Sequence, residues 1–186
     1  SGAMALTFLV LYLTRLGWSV HHAGLVMALF GLGGAVASPI AGRLSDRLGA
    51  RRLLVGTLFF SGVFLILYPI ARSTTAIVAV TLLWSFSSES FRPVSFAWIG
   101  NAVGQEKRKA AFAAYRLAIN LGMSIGPAIG GVLARVSMPA LFVVDGATSI
   151  AAAVVLAIGT RRSNRLAKMS ASRTASSPLG SGAEDS

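Results

Sequence analysis

The sequence predicts an all-α transmembrane fold, a six-helix bundle whose first helix is truncated, and three observations carry that prediction. Hydrophobic residues make up 54% of the 186 residues and charged ones 12%, with a mean hydropathy of +0.71. That balance excludes most soluble folds. Apolar runs of about 20 residues, the length that crosses about 30 Å of hydrocarbon as a helix, recur along the chain. Basic residues lie between these runs rather than along a polar face, so the net charge of +11 reads as membrane topology and not as nucleic-acid binding.

Taken in order, residues 3–15 form the first helix, with about a dozen apolar positions before Arg15. This is too short to span alone, so the chain is expected to begin inside a longer gene product. Alternatively, Ser1 to Ala3 are a cloning remnant ahead of Met4. The opening residues lack the basic segment of a cleavable signal peptide. The second helix covers 23–41, and its small residues Gly31, Ala35, Ser38 and Gly42 share one face that invites a neighbouring helix. The third covers 53–70, ending near Pro69. The fourth, 75–103, carries Glu89, Arg92 and Pro93 inside an apolar stretch. The fifth covers 111–133 and the sixth 140–159. Residues 163–186, rich in Ser, Ala, Gly and Lys/Arg, read as a disordered tail or central loop after a bundle of residues 1–162.

Counting Lys and Arg orients the bundle. Arg43, Arg47, Arg51 and Arg52, then Lys107, Arg108 and Lys109, then Arg161, Arg162, Arg165, Lys168 and Arg173 fall on one side, twelve in all. Arg15, Arg72 and Arg135 fall on the other. By the positive-inside rule the Gly42–Leu54 loop, the Lys107 loop and the tail are cytoplasmic.

Two motifs carry the functional reading. In GRLSDRLGARRLL, residues 42–54, two glycines permit a tight turn while arginines crowd one membrane face. The spacing of Gly42, Leu44, Asp46, Arg47, Gly49, Arg51 and Arg52 resembles the signature loop between the second and third helices of the major facilitator superfamily of secondary transporters. Ala50 departs where the family often has another basic residue. The second motif is GMSIGPAIGG: Gly122, Gly126 and Gly130 repeat every four residues, with Pro127 and Gly131 beside them. Alone, a four-residue glycine repeat is ordinary helix packing. The longer pattern resembles the antiporter motif of the superfamily's drug/proton exchangers, with Ala113 replacing an earlier glycine. FRP in the fourth helix, YRLAINLG in the fifth and LFVVDGATS in the sixth also look like bacterial members of that group.

The resemblance covers roughly residues 8–162 and implies the amino-terminal half of an exporter in a bacterial inner membrane. It implies that the kinked fifth helix packs on a carboxy-terminal six-helix half missing from this chain. It also implies that Asp46 and nearby arginines form a gating charge network. The acid that many relatives place at the cytoplasmic end of the fourth helix is Asn101 here, with Glu106 close enough to substitute.

Charges inside a bilayer are expensive and face a cavity or one another. Glu89 and Arg92 lie three apart on one helical face. They read either as a structural ion pair or as a site where Glu89, near mid-membrane, gains and loses a proton. Arg116, about 9 Å inside the fifth helix by its rise, is a candidate to share that carboxylate. Asp145 reads as an external gate charge, a substrate contact, or a side chain snorkelling to water, the last slightly favoured. Trp84 and Trp98, with Phe8 and Tyr12, either line an apolar drug cavity or pack in the core, and the core is the commoner role. Trp18 reads as an interfacial anchor.

Cysteine is absent, and His21 and His22, adjacent in a turn, point different ways, so no metal or cofactor is expected beyond a proton gradient. Ser87, Ser88 and Ser90 lack a nearby histidine, which argues against an enzyme. The expected function is proton-coupled efflux of small molecules or drugs, with membrane lipid and a small-molecule substrate as partners. The alternatives are an importer or facilitator of sugars or organic acids, or a non-transporting membrane interaction module.

Overall fold

The computed structural model describes the backbone of residues 3–175 and the side chains of residues 5–159. It contains six α-helices and no strand among the described residues: α1 (Ala3–Arg15), α2 (Val20–Leu48), α3 (Ala50–Leu67), α4 (Thr74–Ala102), α5 (Gln105–Val136) and α6 (Met138–Ala175). A 3₁₀ turn, Tyr68–Ile70, ends α3 at Pro69.

The helices are longer and the connections shorter than the apolar runs suggest. Gly42 lies within α2, and the expected loop of residues 42–54 is helical except at Gly49, whose φ of 86° makes the turn. The GQEKRKA stretch forms the opening turns of α5. The reason is length. At about 1.5 Å per residue, the 29 residues of α2 run about 44 Å, beyond the hydrocarbon thickness, so charged helix ends reach the headgroup zone without unwinding. Residues 163–175, expected to be disordered, continue α6; they hold Ala, Leu, Met, Lys and Arg and no Gly or Pro. Residues 176–186 lie outside the described residues.

Serines start three helices. Ser19 Oγ accepts from the His22 amide, Ser73 Oγ from Ala76 and Ser137 Oγ from Ala140, each relieving an amide that the first turn leaves unpaired. Among the described residues, four helices are long and apolar enough to cross a membrane: α2, α3 with its 3₁₀ turn, α5, and α6 as far as Gly159. The short α1 falls below that length. In α4, Ser85, Ser87, Ser88, Glu89, Ser90 and Arg92 dilute an otherwise apolar run.

Helix α3 packs on α6 and α4, α2 packs chiefly on α4, and α1 chiefly on α5. At the α3–α6 crossing, Gly62 and Gly146 touch through their backbones. A Cβ on Gly62 would lie 2.6 Å from the Gly146 carbonyl oxygen, and one on Gly146 would lie 2.6 Å from that of Gly62. Ile150 and Ile66 flank the two glycines in the same reciprocal way. The exchange relates α1–α3 to α4–α6, and the α2–α4 and α5–α1 pairings obey the same relation, which is an internal repeat of three helices.

The small-residue face expected on α2 is not the one that meets a neighbour in this bundle. Gly31, Ala35, Ser38 and Gly42 are exposed, and Gly31 and Gly42 have open space where a Cβ would stand. Gly33, Gly34, Ala37 and Ala41 form the packed face instead. A Cβ at Gly33 would lie 2.8 Å from Ser85 Oγ, and Ser85 donates to the Phe30 carbonyl across the interface. A four-three-four spacing marks a stripe but cannot say which stripe has a partner.

The main core lies at the end away from the arginine-rich turn. Tyr68 stacks on Phe142 at 5.0 Å, Tyr12 tilts on Phe142 at 4.7 Å, and Phe30 meets Trp84 at 4.8 Å. Tyr68 Oη and Thr81 Oγ1 lie 2.9 Å apart, and Thr81 donates to the Ile77 carbonyl, so these buried hydroxyls are satisfied. Tyr12 and Trp84 are therefore core residues. Trp98 packs on a smaller cluster of Ala41, Leu54 and Val94 at the arginine-rich end.

Replacing Gly146 or Gly62 with Val drives side-chain carbon into a facing carbonyl and is expected to destabilise the bundle by about 3 kcal/mol or more. Gly31→Ala, made in open space on an exposed face, should be neutral or stabilising by up to about 1 kcal/mol. Unfolding titrations in detergent compare the three.

Candidate functional site

A cavity of about 670 Å³ opens within the bundle, and all six helices contribute to its wall. Leu6 comes from α1, Phe30 from α2, Leu58 from α3, Glu89 and Arg92 from α4, Tyr115 and Gly126 from α5, and Asp145 from α6. The lining is mostly carbon. Three of the four charged residues singled out from sequence thus converge on one space, while the fourth, Arg116, is exposed and does not line it.

Glu89 is half-buried, its stem laid against α2 where Gly34 leaves room: a Cβ on Gly34 would come within 2.7 Å of Glu89 Cγ. Of the two readings of this pair, the structural ion pair does not form among the described residues. Arg92 is exposed, and no nitrogen of it comes within 4.0 Å of a Glu89 carboxylate oxygen. A three-residue spacing puts two side chains on one face, but here the Glu89 stem lies against Gly34 of α2 while Arg92 stays exposed at the cavity wall. Glu89 therefore stands in an apolar cavity with no hydrogen bond from the described residues.

Asp145 behaves differently. Its carboxyl does not snorkel: the residue is 3% exposed, and Oδ2 accepts from the Ala5 amide at 3.0 Å. Thr148 and Ser149 both donate to the Asp145 backbone carbonyl at 2.9 Å, occupying two hydroxyls of the cavity wall. A negative charge beside the first turn of α1 also meets the positive end of its helix dipole. At the other end of α1, Arg15 Nη1 reaches the Ala134 carbonyl in the last turn of α5 at 3.4 Å. Helix α1 is thus tied to both α6 and α5.

The two glycine motifs serve unequal purposes within this bundle. In α5, Gly126 and Gly130 are buried, Gly131 leaves 3.7 Å between a would-be Cβ and the Phe8 ring, and Gly122 faces open space. Pro127 is accommodated inside α5 without ending it. The packed partner here is α1, while Leu117, Leu121, Ile125 and Ile129 stay exposed. At the α2–α3 turn, Asp46, Arg47 and Arg52 are exposed and Leu44 is half-buried. No ion pair closes on Asp46 among the described residues. Arg51 instead donates through Nη2 to the Ala157 carbonyl of α6 at 3.4 Å, joining the turn to the sixth helix. Asn101 and Glu106 are exposed. No group of three or more metal-ligating side chains occurs among the described residues.

Sequence reasoning passed over Gly34, which seats Glu89, and Tyr115, which lines the cavity edge-on to Phe96 at 5.3 Å with its hydroxyl unpartnered among the described residues. The Gly33-Gly34 pair was a usable signal, because adjacent glycines inside an apolar helix carry a stability cost that close packing explains.

The sequence model described as Major Facilitator Superfamily matches residues 1–181. Monocarboxylate transporter 13 of cattle is 31% identical over 80% of this chain and 36% of its own length. Multidrug resistance protein 1 of Bacillus subtilis is 30% identical over 76% of the chain and 36% of its own length. The quinolone resistance protein NorA of Staphylococcus aureus is 27% identical over 82% of the chain and 39% of its own length. The chain therefore spans well under half the length of the relatives it matches. With a six-helix bundle, an internal three-helix repeat and a shared cavity already evident, the match over nearly the whole chain makes it a member of the major facilitator superfamily, resembling the amino-terminal half of its drug exporters.

Proposed function

We propose that the complete protein exports apolar small molecules in exchange for protons by alternating access, with Glu89 as the proton-carrying group. The observation that carries this reading is a carboxylate without an ion pair or hydrogen-bond partner among the described residues, in a cavity walled mainly by carbon. A charge in such a place is costly unless it is neutralised. Protonation neutralises it in one state, and exposure to water relieves it in the other. Two relatives named for drug or quinolone resistance support the direction and substrate class.

In this reading the protein has no enzymatic activity and needs no cofactor beyond the proton gradient. It resides in a bacterial inner membrane, with the arginine-rich turn and the far end of α6 in the cytoplasm. A second six-helix bundle completes the cavity. The exposed apolar faces of α2 (Leu32, Val36, Ile40) and α5 (Leu117, Ile129, Val132) face that bundle or lipid. The α2–α3 turn and the α5 glycines act at the contact between bundles, as the family resemblance implies. Arg92 and Asp145 shape the cavity, and Arg116 stands close to it in sequence.

A second reading has one observation in its favour: Arg92 brings a guanidinium to the cavity wall, which suits an organic acid, and the cattle relative is named for monocarboxylate transport. The two carboxylates in the same wall weigh against it.

Glu89→Gln in the complete protein, assayed as dye extrusion from everted vesicles, is expected to cut proton-driven efflux at least about tenfold, a loss of about 1.4 kcal/mol in transition-state terms. Unchanged efflux rejects the role of this carboxylate. Gly34→Ala keeps the charge but pushes on Glu89 Cγ, so it should slow efflux several-fold without removing its dependence on the pH gradient. Accumulation of a labelled monocarboxylate under an inward proton gradient, with no dye extrusion, would replace this reading with the second.

A further inference from the structure

Helix α3 carries one hydroxyl in an otherwise leucine-rich seam. Leu54, Leu58, Ser61, Leu65 and Tyr68 recur at alternating spacings of four and three, which sets them on one face, and all are buried. Tyr68 meets α4 through its hydroxyl, 2.9 Å from Thr81 Oγ1, and Leu54 shares the smaller cluster with Val94. The seam therefore faces α4, which runs antiparallel to α3. Ser61 stands midway between Leu54 and Tyr68, and the midpoint of Thr81 and Val94 falls between Ser87 and Ser88, about 2 Å along the axis from Glu89.

The internal repeat leads to the same level independently. Gly62 corresponds to Gly146 and Ile66 to Ile150, an offset of 84 in both cases (146 less 62, 150 less 66). That offset also carries Ser61 to Asp145 and Ala5 to Glu89. Asp145 reaches from α6 to the Ala5 amide of α1 at 3.0 Å. Ser61 and Glu89 hold the matching places on α3 and α4.

Ser61 is 1% exposed, and its hydroxyl has no hydrogen-bond partner among the described residues. Other buried helix hydroxyls, those of Thr57, Thr81 and Ser149, each bond a carbonyl of their own helix. A buried donor left unpaired is costly. At its level stands the Glu89 carboxyl, also without a hydrogen bond among the described residues. Leu58, one turn before Ser61 on the same face, lines the cavity together with Glu89.

We propose that Ser61 is a positioning residue for the proton carrier: once protonated, the Glu89 carboxyl rotates off Gly34 and past Leu58, and its carbonyl oxygen accepts a hydrogen bond from Ser61 Oγ between α3 and α4. This deepens the transport role given to Glu89 above and rests on it. The neutral acid is admitted among leucines because a hydroxyl answers its carbonyl, whereas the carboxylate stays at the cavity, where water reaches it. The only covalent change is the O–H bond made when the proton arrives and broken when it leaves.

Infrared difference spectra between the protonated and deprotonated complete protein in nanodiscs test this, with Glu89→Gln identifying the Glu89 carbonyl band. Removing a donor from a carbonyl stiffens the C=O bond, so Ser61→Ala should move the band to higher wavenumber and Ser61→Thr should keep it in place. Ser61→Ala should also lower kcat for dye efflux about fivefold at unchanged KM, and Ser61→Thr should restore it. The alanine variant deletes an unpaired hydroxyl from an apolar seam, so its unfolding midpoint in detergent should not fall. A band unmoved by Ser61→Ala overturns the inference, even where efflux slows, because the hydroxyl then serves packing alone. So does a shift produced by Ser88→Ala and not by Ser61→Ala. Normal efflux by Glu89→Gln, with the band still moved by Ser61→Ala, would instead count against the transport role of Glu89 and leave the contact standing.

Discussion

The closest constraint in the molecule is the backbone contact between Gly62 and Gly146. With no Cβ on either helix, α3 and α6 approach until each glycine faces the other's carbonyl, and dispersion forces act over a short distance that larger residues would forbid. In a bilayer this matters more than in water, because lipid tails are as apolar as leucine and burial supplies little drive for helices to associate. Once α3 and α6 are fixed, α4 is set on the other side of α3, and α2 follows through Gly33 and Gly34 against Ser85 and Glu89.

The same crossing explains where the cavity lies. Helices α3 and α6 meet tightly, α2 closes on α4, and α1 closes on α5, so the space left among them receives residues from every helix. Two acids enter it with different fates. Asp145 is committed to the amide end of α1 and so belongs to the scaffold. Glu89 rests its stem on glycine and leaves its carboxyl to the cavity. That difference, set by which neighbour offers a hydrogen-bond donor, leaves one acid tied to the scaffold and the other open to the cavity.

The arginines divide in a similar way. Arg15 and Arg51 spend their guanidiniums on carbonyls of other helices, and each links a turn to a distant part of the chain. Arg47 and Arg52 remain exposed. Planar, always-charged guanidinium groups suit both tasks, so sequence alone could not divide them.

By itself the sequence determined the class, the helix number and the family, because a bilayer accepts few architectures and punishes misplaced charge. Apolar runs of spanning length, basic turns between them and two glycine motifs were all legible without coordinates. Helix ends were not, since a helix need not stop where its apolar run stops, and Arg, Lys, Glu and Ala continue it through the headgroup zone and along residues 161–175. Only the tertiary structure decided which glycines touch: Gly33 and Gly34 rather than Gly31 and Ala35, and Gly62 with Gly146 across α3 and α6. It also separated Glu89 from Arg92 and buried Asp145. Spacing along one helix fixes which side chains share a face, but contacts between helices depend on rotation and approach, which no single helix encodes.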